Sequence, residues 1–357
     1  MPTSFEHQLD TLLERFSFNF TKYEINKVLQ VTSQSKVAYK QEILSVVDGN
    51  EELKNKIKEL GLLALQLDTR QVEVFRIIED GDKDALDAFF SSVQVTSETA
   101  INDAFPFPIE DRSELNRLST GIIYPIKSDA VSVGKSEYRR LIACSMVDKE
   151  IEEPVPAEHL SQTGQSLLGN DTVFTMKRKV RTQLFHVIYW CPESSKLIIS
   201  VDRNGLTIAA SQDQLFMLRR FLMQHGVDYG QATNVFGAIE PLYNAVDGSV
   251  TNLGHVTTDG NPVRIPLKGR QECLKKDHYH QAGEGGGYVH AKFMVAKKWK
   301  FPVDDTGRIV EVEVALAGQP KMLDTAQPLS DFAVNKVRRL EDFSFAIDKV
   351  LSHVPTH

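Results

Sequence analysis

The apolar periodicity of this chain changes once along its length, and that change limits the fold more than any single motif does. Over residues 1–95 the pattern is helical. Phe5, Leu9, Leu12, Leu13 and Phe16 follow an i, i+4, i+7, i+8 stripe, and similar stripes recur over residues 23–29, 37–47, 53–67 and 72–78. Asp48-Gly49-Asn50 is a break followed by a good helix cap, and Glu51 and Glu52 suit the positive end of the next helix. From residue 122 the texture becomes short β-like runs, at 121–126 and 138–147. Residues 184–190 and 197–201 then read as a hairpin. Ser211 and Gln214 form a capping-box pattern ahead of Leu215, Leu218, Phe221 and Leu222, with Gly226 as the stop. A second hairpin is expected from residues 293–301 and 309–316 around Asp304-Asp305-Thr306-Gly307, and one long or two short helices over 330–353. The class that results is α+β: a helical N-terminal region, then a β-rich mixed domain with a closing C-terminal helix.

A chain of 357 residues exceeds a typical single domain of ~100 to 200 residues, so two domains are expected. The boundary falls at residues 148–165, where Glu150, Glu152, Glu153, Pro154, Pro156 and Gly164 give a linker-like composition. The division is thus a mainly helical 1–150 and a β-rich 166–357. No run of ~18 apolar residues and no signal-peptide profile occurs, so a cytoplasmic location without membrane contact is expected. Cys144, Cys191 and Cys273 are odd in number and widely spaced, which argues against disulfides and a zinc ribbon. Residues 79–84 alternate Asp but place Ala85 and Ser91 where a calcium loop needs Gly and Glu, so a turn with Asp82 or Asp84 as helix cap is expected.

Charge is unevenly spread. Residues 1–170 carry 18 Lys plus Arg against 28 Asp plus Glu, whereas residues 171–300 carry 17 against 11. A basic middle segment in an acidic chain suits either an anion or the chain's own acidic part. On an extended strand Lys177, Lys179 and Arg181 share one face at ~7 Å intervals, comparable with phosphates along a nucleic-acid strand. Similar alternation puts His290, Lys292, Lys298 and Lys300 together, although a tight turn at 304–307 would set Glu311 and Glu313 opposite Lys298 and Lys300 and neutralise them.

The densest chemistry lies between Asp277 and Lys300. His278 and His280, extended, would share a side and with His290 or Glu284 could approach a metal site, but His-x-His is common without metal and none is expected. Gly285-Gly286-Gly287 leads into a strand rather than a helix, so it reads as a flexible loop or bulge more than a phosphate cradle. His290-Ala291-Lys292 resembles the His-x-Lys half of the phospholipase D phosphodiesterase signature, in which histidine would be nucleophile and lysine would hold phosphate. The resemblance covers three residues: Lys297 occupies the acidic position, and the downstream Gly-Ser-x-Asn and a second copy are missing. No P-loop, dinucleotide fingerprint or serine elbow occurs, and no cofactor is expected.

The sequence therefore favours a binding module over an enzyme, with nucleic acid as partner and Lys177, Lys179, Arg181, Lys292, Lys298 and Lys300 as contacts. The competing expectations are a phosphodiesterase or nuclease centred on His290 and Lys292, and an oligomeric or interaction subunit of a larger assembly such as a prokaryotic accessory or defence complex.

Overall fold

The computed structural model describes residues 3–167, 173–268, 272–302 and 309–355. The first four helices begin at polar side chains. Ser4, Ser17, Ser35 and Asn50 accept hydrogen bonds from the backbone N–H groups of His7, Phe20, Ala38 and Leu53. They start α1 (Phe5–Arg15), α2 (Phe18–Ile25), α3 (Lys36–Val46) and α4 (Glu51–Gln66), satisfying donors that a helix leaves unpaired at its start. Their apolar stripes close on a separate cluster containing Leu9, Leu12, Tyr39, Ile43, Ile57 and Phe107.

Residues 72–78, expected as helix, belong instead to strand β1 (Asp68–Arg76). Val72 and Val74 enter one core and Phe75 another, so both faces are buried and the polar alternation that marks a strand is missing. Next come α5 (Asp80–Ser92), α6 (Thr99–Ala104), α7 (Arg112–Arg117), β2 (Ile123–Val133), β3 (Ser136–Pro154), α8 (Gln162–Ser166), β4 (Thr175–Cys191) and β5 (Lys196–Asp202). Glu79, without a side-chain cap bond, precedes α5, so Asp82 and Asp84 lie inside that helix rather than capping it. Then follow α9 (Ile208–Gln224), α10 (Ile239–Asn244), β6 (Ser249–Val256), β7 (Pro262–Pro266), α11 (His278–Gly285), β8 (Lys292–Pro302), β9 (Ile309–Ala317), β10 (Asp331–Val337) and α12 (Leu340–Leu351). The cap of α9 is Thr207, one turn ahead of Ser211, while Gly226 at φ 76° does follow its end. The first part of 330–353 is strand β10, leaving one closing helix.

The ten strands form one antiparallel sheet in the order β2-β3-β4-β5-β1-β10-β9-β8-β6-β7, and the fold is α+β. One face carries the largest core, covered by α4, α6, α7, α10 and α12; the other carries a smaller core under α5 and α9. The expected linker contains the last turnless stretch of β3, where Asp148 pairs with Arg181 and Pro154 with Thr175 across the hairpin. The sheet continues across it, and β1 sits between β5 and β10. The turn at 304–307 lies outside the described residues, but the strands on either side are paired as a hairpin.

Helical layer and sheet are joined by charge. Arg15 of α1 donates to Asp202 at 2.6 Å, and Asp202 is fully buried beside the equally buried Arg70. Burial alone would raise the Asp202 carboxyl, but Arg15 and Arg70 hold it down at about 2. Behind it, His186 Nδ1 accepts from the Asp202 N–H and its Nε2 meets Ser145 Oγ, which in turn donates to Gln214. Burial pushes His186 down to about 3, so it is neutral. Among the described residues no helix is long and apolar enough to cross a membrane.

Candidate functional site

The segment 277–287 is a helix, not an extended loop. Asp277 Oδ1 accepts the His280 N–H and caps α11, and the glycine run ends it. Gly287 lies at φ 74°; its N–H bonds to Glu284 O, and Tyr288 N–H to Gly283 O. That pair of bonds is the Schellman arrangement, which needs a left-handed residue where Gly287 stands. The glycines therefore stop a helix and cradle no phosphate. Helical winding also separates His278, which is exposed, from His280, which is buried, because positions two apart face different ways. Among the described residues no group of three or more His, Cys, Asp or Glu is placed to hold a metal ion.

His280 is the centre of a polar cluster. Tyr243 Oη of α10 lies 2.8 Å from His280 Nε2 and donates to Glu284 Oε1 at 2.7 Å. With the phenol proton committed to Glu284, His280 donates from Nε2, so in the neutral ring Nδ1 is the acceptor. Nδ1 is buried and has no partner. Burial lowers the His280 pKa, outweighing Glu284, and His255 and Lys292 lower it further. Two cations lie over the Tyr243 ring: Lys275 at 4.5 Å and Lys292 at 4.6 Å, and Lys292 also pairs with Glu240 at 2.9 Å. Buried Lys297 donates to Leu242 O and Ala245 O at the end of α10. Lys292 and Lys297 anchor α10, and with it Tyr243, on β8.

Beside His280 opens a cavity of about 370 Å³. Its apolar walls include Val263 and Ile265 of β7, and His255 of β6 reaches it with Nδ1 on Val256 O at 3.2 Å. Tyr279 and Tyr288 flank it, 83% and 62% exposed. Exposed tyrosines beside a mostly apolar cavity are stacking surfaces for a planar ring. Arg264, Lys276, His278 and His290 stand exposed on the same elements, and Arg264 and Lys276 form no ion pair with any described residue.

The other sequence-derived contacts are arranged differently. Lys177, Lys179 and Arg181 do share a face at the exposed end of β4, opposite an equally regular acidic row on β3. Lys177 pairs with Glu150 at 3.3 Å, Arg178 with Glu153 at 2.9 Å and Arg181 with Asp148 at 2.8 Å, while Lys179 stands opposite Glu150 in register. Lys298 and Lys300 face Glu313 and Glu311, as the strand pattern suggested, and Lys300 reaches Glu272 at 2.8 Å. Both rows are charge-compensated. His290 is exposed and its N–H bonds to Val256 O, while Lys292 is half-buried under α10 and pairs with Glu240.

Tyr243, Tyr279, Tyr288 and His255 escaped sequence reasoning. The signal that was there is the helix start and stop, Asp277 three residues before His280 and Glu284 four after it, ended by glycine. No protein-family model matches the chain, and no curated protein is similar to it.

Proposed function

We propose that the chain binds single-stranded nucleic acid at the α11 end of the sheet, with one base seated in the cavity beside His280. The observation that carries this reading is that His280, whose buried Nδ1 has no partner, lines a cavity flanked by two exposed tyrosines. A base supplies a flat face for Tyr279 or Tyr288 and an N–H donor for Nδ1. The strand's phosphates then meet Arg264 and Lys276, which make no ion pair with a described residue, and the exposed His290. Base stacking on aromatic side chains contributes ~1 to 3 kcal/mol each and tolerates sequence, which suits binding without a base-reading code. A duplex keeps its bases stacked inside and gains only the phosphate contacts.

The test is a titration of labelled single- and double-stranded DNA and RNA at two salt concentrations, with wild type and His280→Leu. The expected result is a preference for single strands, lost about tenfold in the variant, in keeping with ~1 to 3 kcal/mol for a buried hydrogen bond. Equal affinity for the duplex, or full-strength binding by the folded variant, overturns the reading.

A further inference from the structure

The face of the sheet that carries α5 and α9 is only half covered. Its buried cluster draws on β1, β3, β4 and β5 and on no residue of β6, β8, β9 or β10. Across that open half runs a trench of about 400 Å³. Strand register defines its floor: Gln71 pairs with Ala333, Ala333 with Ala315, Ala315 with Ala296 and Ala296 with Asn252. Three alanines thus lie in a row between two side-chain amides, over four strand spacings or ~19 Å. Side chains that end at Cβ leave the floor low, so a ligand's main chain can lie close to it whatever its side chains are.

The polar groups of the trench are ordered by sign. Glu313 is held by Thr251 Oγ1 at 2.9 Å and Asn335 Nδ2 at 3.1 Å, which fixes its carboxylate on β9. Arg203 lines the other end, where its backbone N–H bonds to Thr69 O beside β1. Its guanidinium makes no ion pair or hydrogen bond with any described residue. The β5 line and β9 are three strand spacings apart, ~14 Å between backbones, which the two side chains shorten to the reach of a short peptide. Between them Gln71 is 4% exposed and donates to Asp331 at 3.0 Å, which commits its Oε1 as an acceptor. That oxygen and Asn252 Oδ1 are both without partners.

We propose that the trench is a binding site for a short peptide with free termini: the carboxylate on Arg203, the ammonium on Glu313, and a main-chain N–H on the amide oxygen of Gln71, which lies between them. A side-chain amide presents its acceptor and donor as a peptide group does, so recognition is of main chain and termini rather than of sequence. Charge order disfavours other linear ligands of this size, even with the Asp331 carboxylate acting on Arg203. A polyamine would set an ammonium against Arg203, and a dicarboxylate would set an anion against Glu313.

Isothermal titration of the full-length protein with trialanine tests this, alongside acetyl-trialanine-amide and spermidine. Free trialanine is expected to bind, and the capped peptide to bind at least about tenfold more weakly, because each terminus makes a charge-assisted hydrogen bond. Arg203→Gln and Glu313→Gln are each expected to weaken trialanine about tenfold, and Ala315→Leu to abolish binding by filling the floor, with thermal midpoints reported for all three. Because Glu313 also holds Thr251 and Asn335, Arg203→Gln, which breaks no hydrogen bond or ion pair, is the decisive variant. No heat from trialanine, equal binding of the capped peptide, tighter binding of spermidine, or unchanged affinity in Arg203→Gln overturns the proposal.

Discussion

Glu73 gives the sharpest quantitative expectation. It lies on β1, 2% exposed, with Arg219 at 3.5 Å, Asp331 as its register neighbour on β10, and an Oε2 that has no partner. Burial dominates, and despite Arg219 it raises the carboxyl from its usual range to about 7, with Asp331 adding to the rise. A carboxyl whose folded pKa is raised favours folding while protonated. Its contribution is complete below the unfolded value near 4.5 and is lost as pH rises through about 7. The difference of about 2.5 units corresponds to roughly 3 kcal/mol at 1.36 kcal/mol per unit. Glu73→Gln keeps the shape and the neutral form at every pH. It is therefore expected to change little at pH 5 and to stabilise by up to roughly 3 kcal/mol at pH 8. For a chain of 357 residues, with ~2.1 cal/mol/K of unfolding entropy per residue, that is a rise of about 4 °C in Tm. Differential scanning fluorimetry from pH 5 to 8 measures it. A variant-minus-wild-type difference that stays flat across that range refutes the reasoning, and a destabilised variant at pH 8 would show that the Arg219 pair outweighs burial.

Three further outcomes follow from other parts of the fold. Asp202→Asn leaves Arg15 and Arg70 buried without their counter-ion and is expected to cost ~3 to 5 kcal/mol in chemical denaturation; the wild type should lose the Asp202 contribution as pH falls from about 4 through about 2. Gly287→Ala forces a side chain into a left-handed conformation at the end of α11, an expected loss of ~1 to 2 kcal/mol together with weaker oligonucleotide binding. Protease cutting at residues 155–165 is expected to leave fragments that co-elute on size exclusion, because β3 pairs with β4 and β1 lies between β5 and β10; fragments that separate as stable folded units would instead support two independent domains.

What could be read in the sequence was set by how locally each element is specified. α4 announces itself through Asn50, two glutamates and a clean stripe, all within one helix. β1 does not, because a strand buried on both faces has no polar side to alternate with, and its neighbours β5 and β10 are ~130 and ~260 residues away in the chain. Register explains the rest. The alternation of Lys177, Lys179 and Arg181 was visible, but their matching with Asp148, Glu150 and Glu152 depends on a hairpin whose pairing no single strand encodes. The cluster at 277–300 was read with the wrong geometry: taking it as extended put His278 beside His280, whereas the helix turns His280 inward to Tyr243 and leaves Tyr279 facing out. The alanine trench was invisible for the same reason, since its row spans five strands contributed by distant segments.

In the proposed function the α11 end, not the compensated row on β4, receives nucleic acid. Fluorescence anisotropy of a labelled single strand of about 12 nucleotides compares Tyr279→Ala/Tyr288→Ala with Lys177→Ala/Lys179→Ala/Arg181→Ala most directly. The tyrosine pair is expected to weaken binding by at least about tenfold with the salt slope nearly unchanged, since stacking rather than phosphate contact is removed. The β4 triple variant is expected to stay within a few fold of wild type. The reverse order of effects, or no binding by the wild-type protein at low salt, overturns the proposed function.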